Sequence, residues 1–347
     1  MISSSVTYST QSFPQAVAAI DFNNDSLIDV IIINRGSNSI SIYYNTGNGT
    51  LSAPQSYSTG SGPRTLTVKD VNNDSRPDII VASLTSNDLS IHINAGNGSL
   101  LSRVIHPLST GATGSSLVAG DLNGDNIPDL VLANFELQNV GVFINAGNGT
   151  FLSEVNYSVD IRPLSAAVGD INGDHMMDIV VANQYSHTVS ILLNAGNGTF
   201  LPKLTLTMVS GAGPSTVLVH DMNQDGYNDI IVVTSDIHAI FIFFNTGNST
   251  FLSSISYSTG SNSLPIGLTI NDMNGDNIPD LISAYYDANR IGIFLNYGNK
   301  TFSSPATHIT GTNPYSLAAA DLNGDQSPDF IVANYYGNDM NVFLSSC

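Results

Sequence analysis

The sequence predicts an all-β fold: a seven-bladed β-propeller with four antiparallel strands per blade, closed by an N-terminal strand that completes the C-terminal blade. Three observations carry this prediction. A nine-residue pattern, Asp-x-Asn-x-Asp-x-x-x-Asp, occurs seven times, beginning at Asp21, Asp70, Asp121, Asp170, Asp221, Asp272 and Asp321. The copies start 49 to 51 residues apart, a period typical of propeller arrays, in which each unit shares its core with its neighbours. The chain ends carry complementary parts of one repeat, so residues 1–347 read as a single ring.

The second unit shows how the strands are read. Residues 63–69 lead into the acidic loop, and residues 78–83 follow it as an apolar run suited to a buried strand. After a variable loop, residues 89–94 alternate with period two; a Gly-Asn-Gly turn and a more polar run through Arg103 then supply the fourth strand. These strands are called A to D. The turn recurs at Gly47, Gly96, Gly147 and Gly196, and in altered form at Gly247 and Gly298. Its Asn residues (48, 97, 148, 197, 248 and 299), with Asn156, also read as glycosylation sequons. Six units have a Pro seven residues before the first Asp, at Pro14, Pro63, Pro163, Pro214, Pro265 and Pro314; its fixed φ and missing donor suit the entry to strand A.

The termini explain the closure. The seventh unit reaches Leu344 without its hairpin turn, and residues 3–10 supply the missing strand D, since Tyr8 precedes Asp21 as Tyr57 precedes Asp70. The seventh blade is thus shared between residues 1–10 and 314–345.

Composition narrows the function. The formal charge is −19, with nine Lys plus Arg, which argues against nucleic acid as a partner. Of 28 acidic residues, 21 are the three Asp of the seven loops, so one divalent cation per loop would bring the charge to −5. No apolar run approaches the roughly 18 residues of a membrane-spanning helix, which argues against membrane insertion. The start of the chain shows no signal peptide, so it reads as a mature or excised soluble domain and as a monomeric ring. The single Cys347 leaves no pair for an internal disulfide.

The loops read as calcium sites, up to seven Ca2+ with one per blade. Calcium takes six to eight oxygens from carboxylates, amides, backbone carbonyls and water, and the soft ligands of zinc or copper are absent. Oxygens come from positions 1, 3, 5 and 9, with a backbone carbonyl at 7. The first loop offers Asp21, Asn23, Asp25, Leu27 and Asp29; the second Asp70, Asn72, Asp74, Arg76 and Asp78; the third Asp121, Asn123, Asp125, Ile127 and Asp129. The fourth offers Asp170, Asn172, Asp174, Met176 and Asp178, and the fifth Asp221, Asn223, Asp225, Tyr227 and Asp229. The sixth offers Asp272, Asn274, Asp276, Ile278 and Asp280; the seventh Asp321, Asn323, Asp325, Ser327 and Asp329. Position 6 is expected to take positive φ, which favours Gly226 over Ser26 or Ser75 and predicts a tight fifth site and weak first and second ones.

Seven such loops between strands, with strings such as residues 121–130 (DLNGDNIPDL), resemble the FG-GAP/VCBS repeats of integrin α-subunit propellers and of fungal propeller lectins. The resemblance covers the whole chain. It implies an extracellular or secreted, calcium-loaded binding protein, either an adhesion module, a lectin or an accessory domain of a secreted polysaccharide-active enzyme. The chain departs from these relatives in having no Trp and no Arg-Gly-Asp-like or inserted-domain feature.

In a propeller the A–B loops crowd one face, while the D–A and B–C loops crowd the other. The acidic loops repeat, but the other face varies, so a protein or glycan ligand is expected there. Its candidate residues are Arg35, Phe135, Tyr185, His187, Tyr285, Tyr286, Asp287, Tyr335 and Tyr336, because aromatic rings beside amides and charges suit sugars and peptides. The seven His read as scattered over the repeat. No nucleophile motif, phosphate loop or carboxylate pair outside the acidic loops appears, so the chain reads as non-enzymatic.

Overall fold

A computed structural model of the chain describes residues 2–346 and has seven four-stranded antiparallel sheets; Met1 and Cys347 lie outside the described residues. Blade 2 is typical: strand A is Pro63–Lys69, B is Asp78–Ser83, C is Asp88–His92 and D is Val104–Pro107. Among the described residues there is no helix, and hence none long and apolar enough to cross a membrane.

Burial follows from strand position in the blade. Every strand B is buried along its whole length, as in Asp129–Asn134, and is rich in Val, Ile and Leu because both its faces are covered. Strands D are largely exposed and form the outer rim. The strands A line the centre, and each begins with a register shift, between Pro14 and Ala16 or Pro63 and Thr65 for example, so its second residue bulges from the ladder.

The ring closes as the termini predict. Ile2–Ser9 pairs antiparallel with Asp339–Ser345, completing the blade formed with Pro314–Ala320 and Asp329–Asn334. The seam to blade 1 is an ordinary blade interface: Val30, Ile32 and Tyr43 pack with Leu322, Ile331, Met340 and Val342. The backbone N–H of Val17 also donates to Ser316 Oγ at 3.3 Å. Hydroxyls of Thr65, Ser116 and Ser165 receive the same bond from the next strand A, each at 3.2 Å.

Strand D differs from the expectation. In blade 2 the run through Arg103 is not the strand; Ile91 pairs with Val104, and D continues to Pro107. The Gly-Asn-Gly turn instead caps a small excursion closed by one bridge, Asn94 with Leu100. The cause is an Asn that anchors the excursion. Asn94 donates from Nδ2 to the Pro77 carbonyl and, across the blade boundary, to the Phe22 carbonyl at 2.8 Å, while its Oδ1 accepts from Gly96 N–H. Asn45, Asn145, Asn194, Asn245 and Asn296 repeat this arrangement.

Candidate functional site

Each acidic loop folds around its own backbone N–H groups. In the first, Asp21 accepts from Asp25 N–H (3.1 Å) and Ser26 N–H (2.8 Å), Asn23 Oδ1 accepts from Asp25 N–H, and Asp25 accepts from Leu27 N–H (2.8 Å). Asp29 is fully buried, and its oxygens accept from Phe22 N–H and Asn45 N–H. The pattern recurs in all seven loops, with small differences at position 4.

Position 6 has positive φ throughout, from 63° at Asn277 to 88° at Gly226. Position 4 does too, which sequence reasoning missed: Asn24, Asn73 and Gln224 stand there in the left-handed region, beside Gly124, Gly173, Gly275 and Gly324. Four glycines out of seven were the available signal.

The last Asp of each loop carries the electrostatic tension. Burial pushes Asp29, Asp78, Asp129, Asp178, Asp229 and Asp280 up to about 6. Two backbone donors oppose the shift, while the loop's other two carboxylates add to it by repulsion. Asp329 is raised for the same reasons. Among the described residues, the Arg76 guanidinium meets Asp74 at 3.9 Å, and the His175 imidazole lies 3.8 Å from Asp170.

Among the described residues no three carboxylate, His or Cys groups form a ready metal cluster, because the loop oxygens are turned onto backbone donors. Each oxygen keeps a second lone pair, and the set is hard oxygen only, so the donors fit a calcium-like cation once the carboxylates converge.

On the opposite face the B–C and D–A loops bring together two aromatic clusters. Phe13 stacks on Tyr335 (centroids 5.1 Å apart, planes 19°) and meets Tyr336 edge-on, while Tyr315 bridges Tyr335 and Tyr286. Arg35 Nη1 lies 3.5 Å from the Tyr335 hydroxyl. Farther round the ring, the Arg162 guanidinium sits between Phe135 (4.2 Å) and Tyr185 (3.9 Å), with Arg64 at 6.0 Å from Phe135. Tyr185 and Tyr336 are each 57% exposed.

Of the residues expected here, Arg35, Phe135, Tyr185, Tyr286, Tyr335 and Tyr336 join these clusters, and Asp287 is exposed beside Tyr286. Tyr285 does not belong. It is the last residue of strand B, 2% exposed, and its ring fills the space left by Gly292 in the core. Its repeat equivalent is Asn334, so the neighbouring pair Tyr285–Tyr286 is offset by one from Tyr335–Tyr336.

His187 is also reassigned: its Nδ1 accepts from Gly213 N–H at 3.2 Å, tying its loop to the next blade. His238 does the same for Leu264 N–H, and Asn38, Asn289 and Asn338 use Oδ1 at this position. The His residues are therefore not fully scattered, for His187 and His238 share one repeat position and His106 and His308 another.

Sequence reasoning missed Phe13, Arg162 and Tyr315. All three flank the start of strand A, where the repeat varies most. Phe13 and Arg162 hold φ of 56° and 60° where Gly62 and Gly213 stand in other blades, a strained choice for large side chains.

Comparison with known proteins accords with this architecture. The FG-GAP-like repeat family matches residues 21–81, 70–132, 121–181, 170–232, 221–283 and 272–332. The chain belongs to the FG-GAP-like repeat family. A search of curated proteins by sequence finds no match.

Among solved structures this FG-GAP-like propeller is similar to BBS1N in complex with ARL6DN (14% identity, TM-score 0.71, covering 99% of this chain and 97% of that one). It is also similar to the virginiamycin B lyase from Staphylococcus aureus with quinupristin (13%, 0.69, 99% and 99%). An Agrocybe aegerita lectin that recognises non-reducing terminal N-acetylglucosamine is a third likeness (16%, 0.63, 93% and 86%). At these identities the shared property is the fold.

Proposed function

We propose that this protein is a non-enzymatic extracellular recognition module, a monomeric ring held by one structural calcium ion per blade, whose protein or glycan ligand docks opposite the acidic loops. The observation that carries this reading is the division of labour between the faces. One face repeats a single loop seven times, and the other joins unlike residues from different blades into two aromatic clusters. Bound calcium would offset two of the three negative charges in each loop. Its holders would be the side chains at positions 1, 3, 5 and 9 of the pattern and the backbone carbonyl at position 7. Neither nucleic acid nor membrane insertion is expected.

The lectin reading is favoured within this frame by the exposed rings of Tyr336 and Tyr185, which offer flat surfaces of the kind sugars stack on. A glycan array and a cell-surface binding assay, each run with calcium and with chelator, test both readings. Calcium-dependent sugar binding selects the lectin, and cell binding without sugar binding selects a protein ligand. Turnover of a polysaccharide by the chain, with no binding otherwise, would overturn the proposal.

A further inference from the structure

The strands A converge at the ring centre, and on the face carrying the aromatic clusters they enclose a cavity of about 270 Å³ lined by residues of all seven blades. The bulge at the start of each strand turns its second residue toward this mouth, and those residues vary around the ring, with Ser recurring at 115 and 215. Three of them carry chemistry. Gln15 is 2% exposed with its side-chain oxygen buried and unpartnered, although a buried amide normally finds a hydrogen bond. Arg64 is the one charged residue in the lining, and among the described residues it makes no ion pair. Tyr315 adds a ring that continues into the aromatic cluster. Below them, hydroxyls of Thr65, Ser116 and Ser165 complete a polar wall.

We propose that this mouth binds, end-on, the terminal residue of a glycan that carries a carboxylate, such as a uronic acid. The inference rests on the reading of this face as the recognition face and specifies its ligand. Arg64 pairs with the carboxylate, in a lining that contains no Asp or Glu to compete for it. The Gln15 amide and the hydroxyl wall meet sugar hydroxyls, and Tyr315 covers a ring face. The cavity lies below the size of ordinary drug-sized pockets, so it admits one ring and not a chain lying across it. A peptide fits less well, because the strand A backbones are already paired with strands B and offer no edge for an extended segment.

The test measures binding of methyl β-glucuronide and methyl β-glucoside to the full chain by saturation-transfer NMR and calorimetry. The glucuronide should bind at least about ten-fold tighter, the effect of one charge-assisted hydrogen bond. Arg64→Gln should remove that preference, so that the two glycosides bind alike, with the melting temperature as the folding check, and Gln15→Leu should weaken both ligands. Equal binding of the two glycosides, glucuronide binding unaltered in Arg64→Gln, or equal binding of a capped acidic peptide would overturn the proposal. If neither glycoside binds while the intact chain still binds cells or an array glycan, the assignment of the mouth falls and the recognition face stands. If nothing binds in any assay, both fall.

Discussion

Two residues of every acidic loop stand in the left-handed region, and side chains there cost roughly 1–2 kcal/mol relative to Gly. The first and second loops have no Gly at either position, with Asn24 and Ser26, and Asn73 and Ser75; the other five have one each. The position-6 signal is readable from sequence because Gly226 displays it. The position-4 signal is masked in those two loops by Asn, which tolerates positive φ without announcing it. Ser75→Gly should therefore stabilise the fold by about 1 kcal/mol and Gly226→Ser destabilise it by a similar amount. Denaturant titration in calcium measures both, and no change in either variant would refute the strain argument.

A second residue-scale case is His92. It occupies the strand C position held elsewhere by Tyr43, Phe143, Leu192, Phe243, Phe294 and Phe343, with burial and then the nearby Arg103 lowering it to about 4. The folded form therefore keeps His92 neutral while the unfolded chain binds a proton near 6.5. Stability from this group is full above pH 6.5 and is lost as pH falls toward 4, by roughly 3 kcal/mol in total. His92→Phe should flatten that slope, which urea titrations at pH 7 and 4.5 would show; an unchanged slope would place the acid sensitivity elsewhere.

At the scale of elements, strands A, B and C are legible because seven copies reinforce one hydrophobic pattern. Strand D escapes the sequence reading because the signal that governs its register is not hydrophobic. It is one Asn whose amide ties the excursion to the preceding blade, and this Asn lies in the string Asn-(Ala/Thr/Tyr)-Gly-Asn, which by itself signals only a turn. Asn145 is buried and bonds the Val71 carbonyl (2.9 Å) and the Pro128 carbonyl (3.1 Å). Asn145→Ala should cost about 1–2 kcal/mol in a denaturant titration, since the Pro128 carbonyl would lose its donor while the Val71 carbonyl keeps Gly149 N–H at 2.9 Å.

Blade 7 provides the converse experiment. Ser345 stands where the other blades have Asn; its hydroxyl reaches the Pro328 carbonyl but is too short for the blade boundary. Met273, the position-2 residue facing that gap, is only half-buried, whereas Phe22, Val71, Leu122, Ile171, Met222 and Leu322 are buried. A cavity of about 620 Å³ lies there. Ser345→Asn should raise the melting temperature by supplying a side-chain donor to the Met273 carbonyl, as Asn does at the other boundaries. A lower melting temperature would mean that the seam is not limited by that bond.

For the whole molecule, closure decides whether seven marginal sheets behave as one unit. The aromatic clusters could not be foreseen from sequence because their members come from distant parts of the chain: Phe13 meets Tyr335 only because the ends are joined. That joining rests on a thin strand. Ile2–Ser9 is mostly exposed, but Tyr8 packs in the core shared by blades 1 and 7 and its hydroxyl accepts from Leu51 N–H at 3.2 Å. Thr7 Oγ1 accepts from Asn341 Nδ2 at 2.9 Å, and Thr10 N–H donates to the Asn338 carbonyl at 3.0 Å.

Deleting residues 1–10 would uncover the outer edge of Asp339–Ser345 and break the covalent route between the blades that close the circle. In an open array the end units would fray independently, since each sheet is stabilised by its neighbours. In a closed ring no blade is terminal, so the loss should propagate. The deletion should lower the melting temperature of the entire chain and keep one cooperative transition, with aromatic near-ultraviolet signal and strand signal lost together. Melting that stays at the full-length temperature would show that the ring does not depend on the strand. A separate early step confined to blades 7 and 1 would show that the ring is a stack of blades with local stability only.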